Sequence, residues 1–150
     1  MKPIYRTLTF GALSGIVWSI IPGLLTDLFS SVGESVTIFL AGAITGIAVS
    51  FSIRRLLDGN SKQFAILVGC LTLPYGAFLF GLITAFLHII ISEAGGPTYK
   101  FAQQDIEPFG EAAAYAIYSC ISIFALVLFP LAIGTTLLFR SREINNPKEA

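Results

Sequence analysis

The polar residues best placed to do chemistry lie near one end of two long apolar segments. His88 is the one histidine of the chain, and Thr84 precedes it by four residues, so both lie on one face of a helix. In the last apolar segment Tyr115, Tyr118 and Ser119 recur at a similar depth. These five residues predict a small polar pocket for a lipid headgroup, a quinone or another small ligand. The alternative is a group of interfacial polar residues that hydrogen-bond only to one another.

Catalytic and metal-binding patterns are missing from the sequence. One histidine and two distant cysteines, Cys70 and Cys120, cannot supply the four ligands of a zinc site. No nucleophile stands beside a base, and no phosphate-binding loop occurs. We therefore expect no enzymatic activity, no metal and no cofactor. The two cysteines are expected at different depths, unpaired and buried as small apolar residues.

Two short motifs, GALSG and GAITG, each place glycines four residues apart. Gly11 and Gly15 lie in the first apolar segment, and Gly42 and Gly46 lie in the second. A glycine offers no side chain, so the backbone of a neighbouring helix can approach it closely. We predict that these four residues are helix-packing positions. An inverted internal repeat is the other interpretation of the same similarity.

The composition indicates an integral membrane protein. Of the 150 residues, 55% are hydrophobic and 12% are charged, where a soluble domain has about a quarter charged. Four tracts reach the roughly 20 residues that a helix needs to cross a bilayer. They cover about 7–29, 34–53, 64–92 and 111–139. Because backbone groups in lipid must bond within the segment, the sequence predicts an all-α membrane protein, a single domain over 1–150 with four transmembrane helices in an antiparallel bundle.

The basic residues predict the orientation of this bundle. Eight of the nine Lys and Arg residues fall before the first tract, between the second and third, or after the fourth; Lys100 is the exception. Short cytoplasmic loops carry the excess of Lys and Arg, so both termini are expected in the cytoplasm and the protein in a cytoplasmic (inner) membrane. The balanced net charge gives no reason to expect a nucleic-acid partner.

Two prolines and one long connection complete the pattern. Pro74 and Pro130 each lie some 15–18 Å along a helix from a basic residue at the cytoplasmic end, so we predict kinks at one depth. The connection 93–110 is expected outside the cytoplasm, with a short surface helix that Pro108 ends. That helix is either a lid over the bundle or a simple interfacial connector.

The lack of charged residues in the middle of any span favours a function by association. We expect a small multi-pass protein that contacts lipid and forms either a homo-oligomer or a subunit of a larger membrane complex. The alternative is a small transporter or channel component in which the proline-bent third and fourth spans move. The sequence identifies no small-molecule ligand.

Overall fold

The computed structural model describes residues 3–25, 32–57, 61–93, 108–121 and 125–144. Within these ranges every residue except Ser61 is helical, and none forms a strand. The predicted all-α class is therefore confirmed for the described part of the chain.

Five helices make up the described residues. They are α1 (Pro3–Leu25), α2 (Val32–Leu57), α3 (Lys62–Glu93), α4 (Pro108–Ile121) and α5 (Ala125–Ile144). The helices α1, α2 and α3 are long and apolar enough to cross a membrane. The residues of the expected fourth span, 111–139, belong to two helices, because α4 and α5 lie on either side of 122–124. The apolar stretch of α5, Ala125–Ser141, is shorter than the apolar stretches of α1, α2 and α3.

The connection after α3 begins and ends inside the bounds expected from the sequence. Glu93 is the last residue of α3, and Pro108 is the first residue of α4. Proline suits the first turn of a helix, where its missing N–H would have had no partner. Pro108 therefore begins α4. The surface helix that the sequence predicts before Pro108 lies outside the described residues and stays a prediction.

Buried clusters show that α3 runs antiparallel to both α2 and α5. One cluster joins the end of α2, the start of α3 and the end of α5, and it consists of Val49, Ile53, Leu57, Ala65, Val68 and Phe139. Phe10 of α1 packs against this cluster. At the same end Arg54 of α2 donates a hydrogen bond to Thr7 of α1, 3.3 Å long. A second cluster, Ile38, Ala41 and Phe80, joins the start of α2 to the later part of α3. The first end, which we call the basic end, carries Arg6, Arg54, Arg55, Lys62 and Arg140.

The two interior prolines lie at one level of the bundle. Leu73, which precedes Pro74 in α3, packs with Leu128 and Ala132, which lie on either side of Pro130 in α5. The helices α3 and α5 also contact each other directly. Both prolines therefore lie at the middle level of the bundle, next to residues that line its central cavity.

Candidate functional site: a hydroxyl-lined cavity

A cavity of about 180 Å³ lies between α1, α2, α3 and α5. Along α1 its lining extends from Phe10 to Ile21, which corresponds to about 16 Å of helix. Tyr118 of α4 lines it as well. The cavity is therefore elongated along the bundle axis and is bounded by every helix.

Glycine contacts between α1 and α2 form one wall of this cavity. A Cβ placed on Gly42 would lie 2.5 Å from the carbonyl oxygen of Gly15, and one placed on Gly11 would lie 2.8 Å from that of Gly46. The structure thus brings the four motif glycines together, backbone against backbone, within a single chain. Three of them, Gly15, Gly42 and Gly46, also line the cavity, so this part of its wall is backbone.

Hydroxyl groups supply most of the polarity of the lining, and most of them donate to their own helix. Each bond runs from a side-chain oxygen to a carbonyl three or four residues earlier: Ser14 to Gly11 (3.1 Å), Ser19 to Ile16 (2.7 Å), Thr72 to Val68 (2.7 Å), Thr135 to Leu131 (2.7 Å) and Thr136 to Ala132 (2.8 Å). Once its proton is committed in this way, a hydroxyl oxygen can still accept a hydrogen bond. These residues therefore present acceptors to a guest.

Thr45 differs from the other hydroxyl residues. Its side chain is only 7% exposed and lines the cavity, yet its Oγ1 has no hydrogen-bond partner in the described part of the chain. An unsatisfied buried hydroxyl costs about 1–3 kcal/mol. Because Oγ1 is itself enclosed, the side chain has to rotate toward the cavity to meet a guest, and a hydrogen bond formed there would offset this cost.

A ring contact and a hydrogen bond between α1 and α5 close this side of the cavity. Phe10 and Phe139 pack with ring centroids 5.1 Å apart at the basic end. Deeper in the bundle, the indole N–H of Trp18 donates to Thr135 Oγ1 at 3.4 Å. These four residues separate the cavity from a cleft on the outer face of the bundle, which they also line.

The lining of the cavity carries no charge. All of its described residues are aliphatic, aromatic, hydroxyl-bearing or glycine. An ion placed there would lose its hydration without gaining a counter-charge, at a cost of several kcal/mol. The site is therefore suited to small uncharged molecules. An apolar cavity of about 150 Å³ can hold benzene, which sets the scale of the guest.

The pocket expected around His88 is described only in part. The helices α3 and α4 that carry it pack together. Thr84 Oγ1 is enclosed without a partner among the described residues, and Tyr118 is 57% exposed and lines the central cavity. The side chains of His88, Tyr115 and Ser119 lie outside the description. A ligand site formed by these five residues stays a prediction.

The sequence reasoning did not single out Thr45, Thr135 or Trp18 as site residues. One signal could have found the first of them: Thr45 directly precedes a motif glycine, as Ser14 precedes Gly15. A hydroxyl next to a packing glycine lies at the edge of a close helix contact, where space and polarity occur together. Trp18 and Thr135 are paired only by the tertiary structure, 117 residues apart.

The described residues contain no group of three or more His, Cys, Asp and Glu that could hold a metal ion. Cys70 and Cys120 are both free and half-buried.

Comparison with known proteins gives no family for this chain: no protein-family model, no curated protein and no solved structure matches it.

Proposed function

We propose that the chain is a multi-pass protein of a cytoplasmic membrane, with four crossings and both termini in the cytoplasm. In this topology α4 (14 residues) and α5 (20 residues) together make the fourth crossing. Two observations support it. The first three helices are long and apolar enough to span, and the basic residues of α1, α2, α3 and α5 lie at one end of the bundle. Lys and Arg mark the cytoplasmic side of a membrane protein.

Reporter fusions test this topology. A reporter fused after Ala150 and one inserted in 58–60 should both be active only in the cytoplasm, whereas one at Gln103 should be active only outside. If all three reporters change sides, the orientation is reversed. If only the C-terminal reporter is active outside, the fourth crossing is absent.

We further propose that the protein is a small transporter or channel component for uncharged solutes and that it catalyses no reaction. The cavity with its buried Thr45 hydroxyl carries this proposal. It lies at the level of Pro74 and Pro130, where the freed backbone carbonyls of a proline-containing helix allow bending. A neutral, elongated space beside two such helices suits passage of a neutral molecule along the bundle axis.

Solute flux into proteoliposomes tests the proposal. Vesicles with the purified chain are exposed to a gradient of urea or glycerol, and light scattering follows the change in their volume. The cavity is filled by Gly76→Leu: a Cβ on Gly76 has only Val49 nearby, at 3.8 Å, so the leucine enters the cavity without a backbone clash. The matched control is Gly134→Leu, where a Cβ meets nothing within 4 Å and the residue lies outside the cavity.

We expect the parent and Gly134→Leu to accelerate uptake of both solutes over empty vesicles, and Gly76→Leu to return it to the background rate. Sodium chloride should permeate no faster than through empty vesicles, because the lining is uncharged. If all three proteins match empty vesicles, the transport proposal is wrong. If Gly76→Leu conducts as the parent does, the cavity is not the path.

Association is the second candidate, and the outer face of α4 and α5 favours it. Ile121 and Leu126, each 78% exposed, are the most exposed large apolar residues of the described chain. Cross-linking distinguishes a second copy on this face from lipid. In a Cys70→Ser/Cys120→Ser background, Ile121→Cys should cross-link into dimers in membranes if this face binds a second copy, while Leu13→Cys on α1 serves as the control. Equal cross-linking at both positions would indicate random collision.

A further inference from the structure

The cleft on the outer face of the bundle lies between α1 and α5 and measures about 630 Å³. Its walls are one face of α1 and the later part of α5: Arg6, Thr9, Phe10, Leu13, Ser14, Val17, Trp18, Thr135, Leu138 and Phe139. Leu13, Val17 and Leu138 are exposed at its rim. In the proposed topology this rim faces lipid, so the cleft opens sideways into the bilayer.

The length of the cleft matches one leaflet. From Arg6 to Trp18 the α1 wall spans about 18 Å of helix, close to half of the roughly 30 Å hydrocarbon core. A transmembrane helix of a partner would need a groove across both leaflets. A single acyl chain needs only this half.

The charge of the cleft lies at one end. Among the described residues that line the cleft, Arg6 alone is charged, and it stands at the basic end, where the headgroups of the leaflet lie in the proposed topology. Everything between Arg6 and Trp18 is neutral. The hydroxyls of Thr9, Ser14 and Thr135 donate to carbonyls of their own helices. None of these three hydroxyls therefore has a free proton that an acyl chain would leave without a partner. This order, a cation followed by a neutral wall, is complementary to an anionic headgroup followed by its chain.

We infer that the α1–α5 cleft is a binding site for one acyl chain of an anionic phospholipid, with the phosphate at Arg6 and the chain against Trp18. The inference rests on the membrane topology proposed above and is independent of solute transport. Since the cleft shares a wall with the cavity, a bound chain packs directly on Phe10, Trp18, Thr135 and Phe139. The lipid would thereby support the contacts that close the cavity.

Trp18 reports on this site, because it is the one tryptophan of the chain and lines the inner end of the cleft. The full chain is reconstituted in vesicles of phosphatidylcholine with brominated acyl chains, which quench tryptophan fluorescence on contact. Unbrominated phosphatidylglycerol or phosphatidylcholine is then mixed in. The anionic lipid should displace the quenching lipid more effectively than the neutral one, by about fivefold. That factor corresponds to the roughly 1 kcal/mol that one Arg contributes near an anionic surface.

Two pairs of variants sharpen the result. Arg6→Gln should abolish the preference for phosphatidylglycerol, while Arg55→Gln, which removes an equal charge at the same end outside the cleft, should keep it. Ser14→Phe, one helical turn from Trp18, should fill the cleft beside the indole and shield it from brominated chains, while Val36→Phe on an exposed position of α2 should not.

Several results would overturn the inference. These are a parent without lipid preference, an equal loss of preference in both arginine variants, and quenching that Ser14→Phe leaves unchanged. Quenching that falls as the protein-to-lipid ratio rises would assign the cleft to a second copy instead. The vesicles carry the same lipids in both leaflets, so the result does not depend on orientation. A reversed topology and a failed lipid site are thus distinguishable.

Discussion

On one side of α1 the backbone of α2 lies at glycine-to-glycine contact, whereas on the other side α5 approaches only through side chains. Gly15 and Gly46 leave nothing between the first pair of helices. The second pair meets through the rings of Phe10 and Phe139 and through the bond from Trp18 to Thr135. One helix therefore has a sealed face and an open face.

The difference follows from what holds helices together in lipid. Apolar side chains gain nothing by leaving lipid for one another, so packing depends on how closely backbones and small residues can approach. The sealed face has small residues at four-residue spacing, and the open face has rings that keep the backbones apart. The cleft lies on the open face of α1, and the cavity extends from that face to the edge of the sealed one, where Gly15 and Gly46 line it. In this protein the placement of glycine decides where the bundle closes and where it can bind a guest.

The largest expected effect comes from placing a side chain in the sealed face. A Cβ on Gly15 would lie 2.8 Å from the carbonyl carbon of Gly42 and 2.9 Å from Gly46 Cα, and backbone atoms cannot move aside cheaply. Gly15→Leu and Gly46→Leu should each destabilise the fold by at least about 3 kcal/mol, the upper part of the overpacking range. Thermal unfolding in mild detergent, followed by circular dichroism, measures this.

Gly134→Leu is the control for these two variants, because a Cβ there meets nothing within 4 Å. It should unfold at the temperature of the parent protein. If Gly15→Leu also does so, the close α1–α2 contact is not present in the folded protein.

A smaller effect should separate two glycines of α3. A Cβ on Gly69 would lie 2.8 Å from Ile133 Cα in α5, whereas one on Gly76 would lie 3.8 Å from the nearest atom. Gly69→Ala should cost about 1–3 kcal/mol by forcing α3 away from α5. Gly76→Ala should be neutral or stabilising by up to about 1 kcal/mol, because alanine favours the helix and finds room in the cavity. The same unfolding assay compares them, and equal midpoints would show that α3 and α5 are not in contact at Gly69.

The sequence predicts the helices better than it predicts the spaces between them. Apolar length alone identifies α1, α2 and α3 within a few residues, because crossing lipid constrains length and composition. The glycine spacing indicates a packing face, but spacing is the same whether the partner is another helix of the chain or another copy. That choice depends on how each helix is rotated about its axis, which only the assembled bundle fixes.

The cavity could not be predicted for a related reason. It results from residues that are too small to fill a space, contributed by four helices at once, and no single segment carries that pattern. Charged residues would have marked a site, because they are costly in lipid, but this site has none. The expected pocket at His88 was derived from a titratable residue, whereas the described cavity depends on hydroxyls and on an unpartnered Thr45.

The smallest expected effect concerns the side-chain hydrogen bond from Trp18 of α1 to Thr135 of α5. Trp18→Phe removes the indole N–H, and Thr135→Val removes its acceptor with little change in shape. At 3.4 Å the bond is long, and hydrogen bonds between membrane helices contribute about 0.6 kcal/mol on average. A double-mutant cycle should therefore give a coupling energy of about 0.5 kcal/mol. Ser141→Ala replaces Thr135→Val in the control cycle, because Ser141 donates to Leu138 of its own helix and lies outside the cleft, and it should show no coupling to Trp18. A coupling energy near 2 kcal/mol would mean that the α1–α5 side is closed as firmly as the glycine side. The contrast between the two faces of α1 would then be wrong, and with it the reason for placing a guest on the open one.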